Sequence, residues 1–91
     1  MNIGSSISVV VPVFNEEENI YPLAQEIGSA LKGICDYEII FVNDSSADAT
    51  AVTLTKLKNE ISEIRVIHHS QRSGQSAGLR TGILAAKNNI I

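Results

Sequence analysis

Ile39 to Val42 is a run of apolar, β-favouring residues that stops abruptly on N-D-S-S-A-D, an amide, a carboxylate, two hydroxyls and, past one alanine, a second carboxylate. In an open parallel sheet, ligands bind just beyond the carboxyl ends of the strands, so a strand ending this way delivers Asp44 to a crevice. Asp48 and Thr50 then open a helix, since Asp is a good N-cap and the residues that follow suit a helix. The other reading is purely local: Asp44 and Asp48 make only a turn and a cap, as Asp and Ser do in many loops.

The rest of the chain repeats that plan. Ile7 to Val13, I-S-V-V-V-P-V, is a near-continuous β-branched run, which fits a strand covered on both faces in a parallel sheet. Pro12 must sit at its end, because a proline inside a central strand removes a ladder donor. Met1 to Ser6 reads as a loose lead-in. Ile20, Leu23, Ala24, Ile27 and Leu31 follow the spacing of one apolar helix face. Pro22 is tolerated only in a first turn, so Asn19 is the N-cap, Asn15 to Glu18 stay a loop, and Gly33 is the stop. Glu38 to Asn43 forms the second strand, Asp48 to about Ile61 the second helix, and Ile64 to His68 a less buried third strand, as at a sheet edge.

A third helix is predicted from Gly74 to about Asn88. Gly78 and Gly82 weaken it by about 1 kcal/mol each relative to alanine, and such a cost needs a reason. With Ala85 and Ala86 they recur every three or four residues, leaving one face nearly bare for close approach to the sheet or a ligand. Asn88 to Ile91 read as a helix end and the first residues of another strand. Strand and helix thus alternate three times before a fourth strand begins, as in one half of a doubly wound α/β fold, so that residues 1–91 form a single partial domain.

Bulk properties remove several function classes. A formal net charge of −3 with scattered basic residues, and only 4% aromatic residues, leave no basic stripe or stacking platform for nucleic acid. The single cysteine, Cys35, can form no internal disulfide and has no metal-ligand spacing around it; it reads as a buried or half-buried thiol in a reducing compartment. No stretch approaches the roughly 18 to 20 apolar residues that span a bilayer, so a cytoplasmic location is expected. His68 and His69, adjacent near a strand, face opposite sides and make a poor metal pair. Glu60, Glu63 and Arg80 read as solvated. Neither G-x-G-x-x-G after the first strand nor a G-x-x-x-x-G-K-[ST] loop is present, which sets aside the standard dinucleotide and P-loop sites.

Three loops converge on the carboxyl edge of the expected sheet: Pro12 to Glu18, Asn43 to Asp48 and Ser70 to Ser76. Asn15, Glu16 and Asp44 offer acceptors and an amide to a nucleobase edge or a ribose. Arg72, Gly74 and Ser76 lie at a helix N-terminus, whose N–H groups and dipole suit phosphate oxygens.

V-V-V-P-V-F-N-E-E-E-N-I, E-I-I-F-V-N-D-S-S-A-D-A-T and R-S-G-Q-S-A-G-L-R-T-G, in this order and at these separations, resemble the N-terminal part of a family 2 glycosyltransferase. The nearest branch is that of dolichol-phosphate mannose synthases and bacterial polyprenyl-phosphate sugar transferases. The resemblance implies a GT-A fold: a three-layer, Rossmann-like half with a parallel sheet of order 3-2-1 and helices on both faces, stopped before the fourth strand. It also implies a UDP- or GDP-sugar site, with Pro12, Phe14 and Glu16 at base and ribose, Val42 and Asp44 at the strand end that meets the base, and Arg72 and Gly74 towards the diphosphate. The family usually has two acidic residues where this chain has Asn43 and Asp44, and often glycine in place of Ser45. Its D-x-D motif, which holds Mg or Mn on the sugar diphosphate, and its later general base do not occur in these residues, so no catalytic or metal residue is assigned here.

Two functional classes remain. One is the nucleotide-binding part of an enzyme that transfers a sugar with inversion to an acceptor such as polyprenyl phosphate. The other is a nucleotide-binding or self-association module of the same fold, a homodimer or higher oligomer joined through the Ile7 to Val13 edge. A response-regulator receiver lacks its acidic pair after the first strand and its phosphoacceptor after the third.

Overall fold

The structure, a computed structural model, describes residues 6–45, 49–71, 73–87 and 89–90. Asp48 and Arg72 lie outside these residues. The elements run β1 (Ser6–Val13), α1 (Ile20–Leu31), β2 (Asp36–Asn43), α2 (Thr50–Glu60), β3 (Ile64–His68), α3 (Gln75–Ala85) and β4 (Asn89–Ile90). All strand pairs are parallel, and the sheet order is β3-β2-β1-β4, with the expected 3-2-1 arrangement continued by a short β4 beside Ile7 and Ser8. β3 is an edge strand, as its composition predicts.

Strand periodicity divides the side chains between two helical layers. Val13, Ile39, Phe41 and Ile64 pack with Ile20 and Ala24 of α1 and Leu54 and Leu57 of α2 into the main core. The opposite face of the sheet carries α3, which lies against β1 through its glycines: a Cβ on Gly78 would fall 2.9 Å from Pro12 Cβ, and one on Gly82 would fall within 2.2 Å of Val10 Cγ1. The bare face read from sequence therefore meets the sheet. Pro12 costs no β1–β2 bond. The Asp44 N–H donates to the Val13 carbonyl at 2.9 Å, so the backbone groups of Val13 face β2 and, by alternation, those of Pro12 face the other edge.

α1 keeps the expected start and stop, with Pro22 in the first turn and Gly33 at φ 80°. Asn19 stands at the N-cap position, but its side chain makes no capping bond; its amide donates to Glu16 Oε2 at 3.1 Å. Ser6, read as lead-in, already belongs to β1, and β2 begins at Asp36 rather than Glu38.

α3 ends at Ala85, three residues before the predicted Asn88, and tertiary partners explain the difference. Arg65 Nη1 donates to the Ala85 carbonyl at 2.9 Å, and the Lys87 N–H donates to Glu38 Oε2 at 2.9 Å, so the chain leaves the helix towards the sheet. Buried Glu38 also accepts from Ser8 Oγ at 2.5 Å and from Arg65 Nη1 at 2.9 Å. Burial alone would push the Glu38 carboxyl up; the hydrogen bonds from Ser8, Lys87 and Arg65, with the guanidinium charge, outweigh it and bring its pKa from 4.5 down to about 2.

Candidate functional site

Beyond the carboxyl ends of β1 and β2 lies an open cleft of about 270 Å³, lined by Pro12, Val13, Phe14, Glu16, Asp44 and Gln75. Its position follows from the topology, since adjacent parallel strands end together and their loops part there. The volume falls just short of an ordinary small-molecule pocket of roughly 300 to 1,000 Å³.

The loop Phe14 to Asn19 is held in place by α2. The Glu16 N–H donates to Thr50 Oγ1 at 3.1 Å, and the Ala49 N–H to Glu17 Oε1 at 3.5 Å, which sets a carboxylate at the positive end of the α2 dipole. Asn15 takes a left-handed φ of 52°, which Asn tolerates better than most residues, and turns the chain between Phe14 and Glu16.

Asp44 is 3% exposed and organises the third loop. Its Oδ1 accepts the Ser73 N–H at 2.7 Å and His69 Nδ1–H at 3.0 Å, and its Oδ2 accepts the Gly74 N–H at 2.8 Å. Gly74, at φ 92°, can turn its N–H in this way without the strain a side chain would add. The Ser73 N–H and the His69 imidazole, joined by the Gly74 N–H and opposed by burial, hold the Asp44 carboxyl below its usual range. The carboxylate therefore binds the β3–α3 loop, beside the first turn of α3.

The sequence-derived site residues separate into groups. Pro12, Phe14, Glu16 and Asp44 line one cleft, and Asn15 joins two of them on the loop. Val42 is fully buried beneath Gly78 and does not line the cleft; it supports the floor under α3. Gly74 serves as donor to Asp44, and Arg72 lies outside the described residues. Sequence reasoning missed Gln75, Thr50, Glu17 and above all His69, whose Nε2 meets Thr81 Oγ1 of α3 at 2.8 Å. His68, in register with Asn43, accepts the Asn43 amide N–H at Nδ1 at 3.1 Å, so the two histidines have separate partners.

Among the described residues no three His, Cys, Asp or Glu side chains lie together as a metal site. Among the described residues Glu16 and Asp44 are the carboxylates lining the cleft, and Asp44 already accepts three hydrogen bonds, so these two do not by themselves fit a divalent ion. No helix of the described residues is long and apolar enough to cross a membrane.

The chain is 34% identical over 87 residues to a dodecaprenyl-phosphate galacturonate synthase of Rhizobium johnstonii, and covers 93% of itself but 26% of that protein. It is 32% identical over 84 residues to a dolichol-phosphate mannosyltransferase of Pyrococcus furiosus, with 92% and 23% covered. The chain thus spans about a quarter of these relatives. Its fold matches a mannosyltransferase of Pyrobaculum calidifontis solved with GDP-Man and Mn2+ at TM-score 0.79 and 20% identity, covering 89% of this chain and 24% of that one. Glucosyl-3-phosphoglycerate synthase of Mycobacterium tuberculosis, solved with Mn2+, UDP-Glc and glycerol 3-phosphate, matches at TM-score 0.70 and 27% identity, covering 93% and 31%. The architecture is the N-terminal part of the GT-A fold. With the family model for glycosyl transferase family 2 matching residues 8–91, nearly the whole chain, this protein belongs to that family.

Proposed function

We propose that the cleft holds the base and ribose of a UDP- or GDP-sugar, and that the whole protein passes the sugar, with inversion, to a polyprenyl phosphate. The observation that carries the reading is the convergence of Pro12, Phe14, Glu16 and Asp44 on one cleft beside the N-terminus of α3. Phe14 and Pro12 offer apolar cover to a base, and Glu16 offers acceptors to ribose hydroxyls. The first-turn amides Gln75 to Ala77 have no helix carbonyl to bond and suit the diphosphate, towards which Arg72 also belongs on this reading. Relatives named for dodecaprenyl phosphate and dolichol phosphate support the acceptor class, and neighbours solved with GDP-Man and UDP-Glc support the donor class.

Titration calorimetry with UDP and GDP tests it. One of them binds, and Phe14→Ala weakens that binding about tenfold by removing aromatic cover from the base. No heat with either nucleotide at millimolar concentration overturns the reading. The alternative is the self-association module of the same fold, joined through the Ile7 to Val13 strand. Light scattering decides this, a dimer supporting the module and a monomer removing it.

A further inference from the structure

α3 meets the sheet through glycines, into whose gaps Val10 and Pro12 fit. Polar ties add to this seating along the helix axis. At the far end these are the bonds of Glu38 and Arg65 to Lys87 and Ala85. Near the cleft, the Asp44 carboxylate holds Ser73 and Gly74, just ahead of the helix. A further tie reaches the body of the helix: the His69 ring, with Nδ1 at 3.0 Å from Asp44 Oδ1 and Nε2 at 2.8 Å from Thr81 Oγ1.

The chemistry of the partners orients this ring. An ionised carboxylate only accepts, so Nδ1 carries the proton and donates to Asp44. In the neutral imidazole Nε2 then accepts the Thr81 hydroxyl proton. His69 lies just past the end of β3 and Thr81 in the middle of α3, so the ring spans from the end of the sheet to the helix.

We propose that His69 is a positioning residue for the nucleotide site: by holding the Asp44 carboxylate on one side and Thr81 on the other, it sets the cleft wall and the first-turn amides of α3 in one geometry. The inference rests on the nucleotide reading above and adds to it a residue that does not line the cleft. Base edge and diphosphate are then met by groups whose separation the ring fixes. Nucleotide affinity should follow the ring more closely than fold stability does.

Titration calorimetry on His69→Ala, His69→Asn and Thr81→Val, each with a thermal melt, tests this. His69→Ala weakens nucleotide binding about tenfold, the loss expected for one to two orienting bonds. His69→Asn, whose amide still donates to Asp44, restores most of the affinity, and Thr81→Val, which breaks only the second bond, falls between. Affinity within twofold of wild type in His69→Ala, with only the melt lowered, overturns the proposal. If His69→Ala does not fold, Thr81→Val decides: weakened binding supports the positioning role and unchanged binding overturns it. If the wild type binds neither nucleotide, the nucleotide reading fails on its own account, and the ring is read by ¹⁵N spectroscopy. A protected Nδ1–H then supports the clamp on Asp44, and a proton on Nε2 instead overturns it.

Discussion

Replacing Gly82 by alanine sets two effects of opposite sign against each other. In an exposed helix the change would stabilise by about 1 kcal/mol, through backbone entropy alone. In this helix the new Cβ would lie 2.2 Å from Val10 Cγ1 and 3.3 Å from Val10 Cβ and Cγ2. Carbon atoms in contact rest about 3.5 to 4.0 Å apart, so helix and strand would have to part by more than 1 Å. Rotating Val10 to clear Cγ1 would still leave its Cβ, at 3.3 Å, closer than carbon atoms rest in contact. The helix cannot easily retreat, since Asp44 holds the residues before it and Glu38 the residue that leaves it. Overpacking of this kind costs about 1 to 3 kcal/mol, and a contact so short belongs at the upper end. The net loss is about 2 kcal/mol, which for a domain of this size lowers the melting midpoint by roughly 8 to 16 °C. A thermal melt followed by circular dichroism measures it. Val10→Ala in the same chain removes both Cγ atoms, so the double variant should recover at least about 1 kcal/mol of coupling. A Gly82→Ala protein that melts at or above the wild type, or a cycle with no coupling, would show that α3 does not seat on β1 through this glycine.

Glu38 makes the fold acid-sensitive in a defined window. Its folded pKa lies below its ordinary one, so its contribution is fully present above about pH 4.5 and is lost as pH falls towards about 2. Discounted for the partly exposed Arg65, this is about 2 kcal/mol; Glu38→Gln should flatten the fall in urea midpoint between pH 5 and pH 2.5 (approximate bounds of that window), and an unchanged slope would refute the assignment. Ser45 sits at φ 58°, where a side chain costs about 1 kcal/mol that glycine avoids. Glycine's larger unfolded-state entropy offsets most of this, so Ser45→Gly should stay within about 0.5 kcal/mol of wild type by urea melt, and a loss above about 1 kcal/mol would refute this balance.

The strands were legible because I-S-V-V-V-P-V and E-I-I-F-V-N are short, β-branched and apolar; Glu38 to Asn43 are all buried, while β1 mixes buried and half-buried residues. The bare face of α3 was legible because helix-weakening glycines at a helical spacing demand a close neighbour, and Val10 and Pro12 are that neighbour. The end of α3 was not, because no residue near Ala85 stops a helix; Arg65 and Glu38, from two other strands, stop it. Val42, placed at the strand end by the resemblance, lies two residues before Asp44 and is fully buried against α3. His69 was not legible either. Adjacent histidines do face opposite sides, which removes a shared metal, but only the register of β3 on β2 shows that one meets Asn43 and the other Asp44.

Glu38 and Asp44 lie at opposite ends of β2, an even number of residues apart and so on the face that carries α3. Each takes backbone N–H groups from one end of that helix, but the helix dipole treats them differently. At Asp44 a negative charge beside the N-terminus is favourable, and backbone N–H groups with the His69 ring satisfy it. At Glu38 a negative charge beside the C-terminus is unfavourable, and Arg65 reverses the balance by bonding both Glu38 and the Ala85 carbonyl. An alanine at Arg65 would thus leave Glu38 buried beside a negative helix end, and the far anchor of α3 would weaken before the near one. Because the first-turn amides beside the cleft belong to this same helix, the scaffold contact at Glu38 and the ligand contact at the cleft are two ends of one rigid element. Loss of the far anchor should therefore reach the cleft as a change in the position of those amides, even though Glu38 lies at the other end of the strand.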